Sequence, residues 1–354
     1  MKKIIILICV LQFNIGYTQV TLNADGPGNT YELITSVLAP GYNPVEVPDC
    51  NHTSFGRHID EVYDNELNTN VFRFYIHTSP DNDRCINVDR QRNEIKTYDQ
   101  SPENLLGRQN EIVVYKWKFK LEAGFKTSSN FTHLHQLKSV GGALEDMPMY
   151  TLTARKSNPD RLELRYAETD TQVTLLQTSL APFIGTWLDV TETITYGTSG
   201  TYAIEIKRVD NDNILLNYSN NSIINWRTGA SFVRPKWGIY RSLLNAQDLR
   251  DETILFANFS VEELPTLSLN EADVDNTTFS IVPNPSSNII HLKNVNTNAS
   301  LIQLYSLDGR KVLEKDSNFE TNVDIDISSI SNGSYIIIVK GKQLYQSKLL
   351  IISH

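Results

Sequence analysis

The chain has 354 residues and a formal net charge of −9, with 41 acidic side chains against 32 lysines and arginines. That balance argues against nucleic acid or an anionic membrane as a general partner. It leaves an anionic polysaccharide open, because a cleft can be locally basic on an acidic protein.

The amino terminus reads as an export signal. Lys2 and Lys3 form a positive start, Ile4 to Leu11 is an uninterrupted apolar run, and Gly16, Tyr17 and Thr18 follow where a signal peptidase reads. Residues 1–18 are expected to be removed near Thr18–Gln19. The apolar run is too short to span a bilayer, and no later stretch is long and apolar enough. Losing Lys2 and Lys3 takes the charge from −9 to −11. Of the three cysteines, Cys9 leaves with the signal, and Cys50 and Cys85 remain. An even pair in an exported chain predicts a disulfide, stabilising by roughly 3–4 kcal/mol. Two thiols with no clustered histidines cannot complete a tetrahedral shell, so neither a metal site nor a required cofactor is expected. Asp81-Asn82-Asp83 and Asp210-Asn211-Asp212 have the residue types of a structural calcium loop, but such runs are more ordinarily turns.

Beyond the signal, nearly every patterned segment has period two. Val71–His77, Glu111–Leu121, Phe131–Ser139, Arg161–Tyr166, Thr186–Tyr196, Thr201–Val209 and Ile254–Glu262 are rich in Val, Ile, Thr and aromatics. Gly, Pro, Asn and Asp clusters separate them, and no segment holds a sustained helical period. So many strands predict an all-β chain whose residues 19–262 form a two-sheet jelly-roll (concanavalin-like) sandwich. Residues 263–278 are polar and unpatterned, as in a linker, and residues 279–354 return to short strands. Asp308-Gly309 and Asn332-Gly333 are each expected to turn a hairpin.

This rear segment carries Phe279-Ser-Ile-Val-Pro-Asn-Pro285, Leu304-Tyr-Ser-Leu-Asp-Gly-Arg310 and Ile330-Ser-Asn-Gly-Ser-Tyr335, in that order. It resembles the type A C-terminal sorting domain of the type IX secretion system. A carbohydrate-binding module is the alternative, but the segment lacks Trp and has few aromatics. The resemblance implies type IX secretion machinery as a partner, and a secreted or cell-surface location.

Three strands of the large domain place polar residues on one face. Arg92, Glu94 and Lys96 alternate with Ile95; Gln136 and Lys138 share a face; Lys236, Gly238 and Tyr240 share a face opposite Trp237 and Ile239. Gly238 removes a side chain where a ligand approaches closely. His133 and His135 fall on the face opposite Gln136 unless a bulge intervenes, and there they read as packed histidines. Lys116, Lys118 and Lys120 alternate with Trp117, Phe119 and Leu121, as on a solvated strand face.

These motifs resemble the jelly-roll uronate lyases, alginate lyases among them, whose Arg-x-Glu-x-Arg, Gln-x-His and Lys-x-Gly-x-Tyr strands line one groove. Here Lys96 replaces the second arginine and Lys138 the histidine. With Asp89-Arg-Gln-Arg-Asn-Glu94, the Gln-x-Lys version is similar to β-jelly-roll ulvan lyases (polysaccharide lyase family 28) and their glucuronan-lyase relatives. The resemblance spans roughly Asn51 to Glu262. It implies β-elimination on an anionic, sulfated algal polysaccharide by a monomer. A base takes the C5 proton of a uronate while an acid protonates the leaving oxygen at C4. Lys138 and Tyr240 are the candidates for those roles. Arg92 and Gln136 would hold the carboxylate, with Glu94 and Lys236 lining the subsite. Lys138 serves as base only if burial or neighbouring cations lower its pKa; otherwise it grips sulfate. A jelly-roll glycoside hydrolase would need paired carboxylates in a Glu-x-Asp-x-x-Glu run, which is absent. A lectin would show aromatic platforms rather than convergent titratable groups.

Overall fold

The computed structural model describes residues 19–264, 279–306, 310–341 and 345–354. The export signal, most of the expected linker and the Asp308-Gly309 turn lie outside them. The chain divides into two compact units, Met1–Thr266 and Leu267–His354.

In the first unit the elements are β1 (Gln19–Leu22), helix α1 (Thr30–Leu38), β2 (Val45–Glu46), β3 (Ile59–Asp64), β4 (Thr69–Ile76), β5 (Arg90–Lys96), β6 (Ile112–Leu121), β7 (Thr132–Val140), β8 (Tyr150–Arg155), β9 (Arg161–Tyr166), β10 (Val173–Ser179), β11 (Leu188–Thr195), β12 (Gly200–Arg208), β13 (Ile214–Ile223), β14 (Phe232–Ser242) and β15 (Glu252–Leu264). Two antiparallel sheets result. One runs β13-β12-β11-β6-β15-β4-β3, with β1 on β15; the other runs β10-β9-β8-β7-β14-β5-β2. Alternation drives the pairing. On β11, Leu188, Val190, Glu192 and Ile194 turn inward and every second residue faces outward. Trp117 and Phe119 of the first sheet meet Trp237 and Ile239 of the second in one core, with Trp117 edge-on to Trp237 at 6.1 Å. This is the expected all-β jelly-roll architecture.

Two expectations about the elements of this unit need correction. The sequence has a helix after all: Thr30, Ile34 and Leu38 of α1 are buried at i, i+4 and i+8. Nine residues are too few for that period to stand out among strands. The expected linker also begins late, because Glu263 and Leu264 pair with Val113 and Ile112 as the end of β15.

The second unit contains β16 (Ser280–Val282), β17 (Ile289–Lys293), β18 (Ala299–Ser306), β19 (Lys311–Asp316), β20 (Asn322–Asp326), β21 (Gly333–Gly341) and β22 (Tyr345–Ile352). They form sheets β16-β17-β20 and β19-β18-β21-β22 around a core that includes Phe279, Ile290, Ile302 and Ile337. Asn332-Gly333 does not turn a hairpin. β20 pairs with β17 and β21 with β18 and β22, so this dipeptide leads the chain from one sheet into the other.

Candidate active site

Strands β5, β14 and β7 are neighbours, and their register brings the three polar motifs together. Lys236 stands between Gln136 on β7 and Lys96 on β5, while Tyr240 faces Arg92 and Gly238 faces Glu94 across β14 and β5. Ile95, Trp237 and Ile239 turn into the core, as alternation requires. β5 is buried on both faces after Arg90, so its outward charges must be paired.

Three buried carboxylates do that pairing. Glu94 is fully buried; its Oε1 accepts from Gln136 Nε2 at 2.5 Å, and its Oε2 from Arg92 Nη1 at 2.5 Å and Lys236 Nζ at 2.9 Å. Glu46, on the two-residue β2, lies 2.5 Å from Lys236, 2.7 Å from Lys96 and 2.6 Å from Arg84. Asp83 accepts from Arg92 Nε at 2.9 Å and Arg84 Nε at 2.8 Å. Burial alone would raise the pKa of Glu94, but Lys236 and Arg92 outweigh it and hold the carboxyl below the usual range. Glu46 is lowered in the same way against its burial, by Lys236, Arg92, Lys96 and Arg84. The donors of Arg92 and Gln136 are thus engaged with acids of the protein, beneath the surface rather than open on it.

Lys138 is placed differently. It is half-buried, sits opposite Arg234 in the β7–β14 register, and makes no ion pair among the described residues. Burial, then Lys236 and Arg234, pull its pKa down from 10.5 to about 8, against Asp146. Arg234 is half-buried too, without an ion pair among the described residues, and its guanidinium lies 5.6 Å from the centre of the Tyr98 ring. Like charges directly opposite on a sheet are destabilising unless an anion joins them.

Tyr240 is half-buried between cations. Arg92 lies over its ring at 3.7 Å, and Arg90 Nη1 donates to its hydroxyl oxygen at 3.0 Å. The Arg90 bond holds the hydroxyl in place. His133 stands beside it, with ring centres 5.9 Å apart. That placement corrects the expected one. β7 spends two residues, His133 to His135, against one step of β8, Thr153 to Leu152. This bulge at Leu134 turns His133 to the Gln136 face, where its Nδ1 bonds Thr153 Oγ1 at 2.8 Å. Burial holds it neutral, with a pKa of about 3. His135 stays in the core as expected, against Trp117 at 4.4 Å and Glu192 at 2.9 Å.

Gly238 has a cause different from the one expected. At φ +145°, a Cβ there would meet the Asn93 carbonyl oxygen at 2.1 Å. Close approach of β5, not of a ligand, requires glycine. The Lys116, Lys118 and Lys120 face is solvated as expected, with Lys118 3.4 Å from Asp189. Asp210-Asn211-Asp212 is the turn between β12 and β13, its carboxylates taken by Arg208 and Lys207. Cys50 and Cys85 form the expected disulfide, with Cα atoms 6.3 Å apart.

Sequence reasoning missed Glu46 and Arg234, and it gave Asp83, Arg90 and His133 no part in the site, reading them as a turn, a motif neighbour and a packed histidine. Arg234 was legible, since it shares the face of Lys236 by period two. Glu46 carried no signal, because a two-residue strand has no period.

Among curated proteins, no sequence matches this chain. By structure it is similar to an alginate lyase of family PL-14 from Aplysia kurodai, at 12% identity and TM-score 0.49, covering 70% of this chain and 100% of that one. It is also similar to an endo-β-1,4-glucuronan lyase from Trichoderma reesei, at 13% identity and TM-score 0.43, covering 64% and 93%. An alginate lyase from Pseudomonas aeruginosa gives 12% identity and TM-score 0.42, covering 62% and 97%. Residues 280–353 match the family described as secretion system C-terminal sorting domain. The rear unit is therefore a type IX sorting domain, and the protein is exported through that system to the cell surface or the medium.

Proposed function

We propose that the first unit is a polysaccharide lyase that cleaves a uronate-containing, sulfated polymer, ulvan, by β-elimination. The observation that carries this reading is the Lys138–Arg234 pair: two half-buried cations face each other across neighbouring strands, with Lys236 behind them. Repulsion within such a pair would be relieved by a bound anion. A chain bearing carboxylate and sulfate would meet that need at successive sugars.

The chemistry follows from the same groups. With a pKa of about 8, roughly a tenth of Lys138 is the neutral amine at pH 7. The amine takes the C5 proton of the uronate, and that electron pair forms the C4–C5 double bond. The C4–O bond breaks as the Tyr240 hydroxyl gives its proton to the leaving oxygen. Arg234, opposite Lys138, stabilises the charge that builds on the carboxylate during proton removal, while Arg90 holds the Tyr240 hydroxyl. Arg92, Gln136, Glu94 and Lys236 form the buried layer that fixes the field beneath. His133, with its pKa near 3, is too weak a base to compete with Lys138 and instead packs beside the Tyr240 ring. The names of the similar structures, lyases of glucuronan and alginate, agree with a uronate as the reacting sugar.

A panel of ulvan, glucuronan and alginate, each incubated with the purified protein, tests this. Ulvan should yield products with a new ultraviolet absorbance from unsaturated uronate ends. New reducing ends without that absorbance would mean hydrolysis and sink the reading. Unsaturated ends from alginate or glucuronan alone would keep the reaction and overturn the substrate.

A further inference from the structure

The histidines that look scattered in sequence converge in space. His52 and His58 precede β3, His77 follows β4, and Asp81 lies in the next turn. One ligand atom from each of the four lies within 4.8 Å of every other. The Asp81 side chain is fully buried at their centre. Its Oδ1 is 2.8 Å from His52 Nδ1 and 3.2 Å from His58 Nε2, and its Oδ2 is 3.1 Å from His77 Nδ1. The premise that no histidines cluster therefore does not hold.

We propose that His52, His58, His77 and Asp81 are the four ligands of a structural zinc ion. Three imidazole nitrogens and one carboxylate oxygen make a complete tetrahedral donor set for zinc. A regular tetrahedron of such bonds has edges of about 3.3 Å, so the set closes by rotamer shifts rather than by refolding.

The surroundings suit a metal better than a plain hydrogen-bonded cluster. His58 Nδ1 lies 2.7 Å from Asp49 Oδ1; with that nitrogen as the donor, Nε2, 3.2 Å from Asp81 Oδ1, is the atom that would face an ion. A carboxylate behind a ligating histidine is the usual support of a zinc ligand. Asp81 Oδ2 accepts the backbone N–H of His77 at 2.6 Å, leaving Oδ1 for the ion. The Phe55 ring covers the group, with centres 4.4 Å from His77, 4.7 Å from His58 and 5.3 Å from His52. The side chains of His52 and His77 keep 16% and 19% exposure, an entry path for the ion.

Such an ion would brace the catalytic face from behind. Gln91 Nε2 donates to the carbonyl oxygens of His77 and Asp81, and Asp83, two residues on, grips Arg92 beneath Tyr240. The Cys50–Cys85 disulfide ties the same two segments, so ion and disulfide are paired staples.

The test uses the whole exported chain, stripped with chelator, loaded with zinc chloride and dialysed. Elemental analysis should find about one zinc per chain, and the melting temperature should rise with zinc and fall again with chelator. In a His52→Gln/His77→Gln variant, bound zinc should drop about tenfold and melting should ignore zinc. A His291→Gln/His354→Gln variant in the rear unit should retain full zinc. Wild-type protein without bound zinc, or full zinc in the first variant, overturns the site. If that variant does not fold, cobalt(II) loading of the wild type decides. The intense visible band of a four-coordinate site supports the proposal, and the weak spectrum of six-coordinate cobalt contradicts it.

Discussion

Lys138 concentrates the question of mechanism at the residue scale. Its ammonium form is disfavoured first by burial and then by Lys236 and Arg234, which together bring its pKa to about 8. As a base it acts in the neutral form, so turnover at saturation should climb with pH and level off above about 8. As a grip on sulfate it acts in the charged form, so KM should instead rise above that pH. Lys138→Met keeps the length and apolar stem but cannot carry a proton. The base role predicts a loss of roughly 10²-fold or more in turnover, and disappearance of the rising limb. A variant that retains turnover while KM climbs would transfer Lys138 to binding. The same residue shows what a sequence can yield. Its strand, its face and its partner Gln136 follow from period two. Its depressed pKa depends on Arg234 lying opposite, and that requires the register of β7 against β14.

At the scale of elements, the catalytic face depends on two irregularities that periodicity does not contain. The bulge at Leu134 brings His133 round to Tyr240, and Gly238 lets β14 close on β5. Alternation in β5, β6 and β11 was legible because each strand holds one face in the core throughout. His133 was misplaced because one extra residue reverses the face of all that precedes it. Glu46 was missed because what recruits it is charge, Lys96 and Lys236 across two strands, rather than local pattern. Gly238→Ala tests the element directly. With φ at +145° and the Asn93 carbonyl oxygen 2.1 Å from the new Cβ, β5 and β14 must separate. The expected cost is roughly 2–4 kcal/mol, read from the midpoint of urea unfolding. An unchanged midpoint would show that the close approach is not needed.

For the whole molecule, export and chemistry are assigned to different units. The sorting motifs lie within residues 280–353, whereas every candidate catalytic residue lies on β5, β7 or β14 of the first unit. Each unit has its own hydrophobic core. A chain ending after Leu264 should therefore keep the full activity of the exported protein on soluble polymer, within about twofold, while losing delivery through the type IX system. The truncation belongs after Leu264 rather than Glu262, because β15 pairs with β6 to that residue. Loss of activity in a truncated protein whose circular dichroism is native would mean that the rear unit takes part in catalysis.

The most direct measurement of the central claim is the rate at which Tyr240→Phe forms unsaturated uronate ends on the polymer that the wild type cleaves. The substitution removes one oxygen and leaves the ring under Arg92 at 3.7 Å and beside His133, so the fold should survive with little change. Only the proton offered to the leaving oxygen, and the hydroxyl that Arg90 holds, are lost. The account predicts a fall of ~10²-fold or more in turnover with polymer binding largely kept. A Tyr240→Phe protein that forms those ends at the wild-type rate would contradict it, and the face built from β5, β14 and β7 would not be the site of β-elimination.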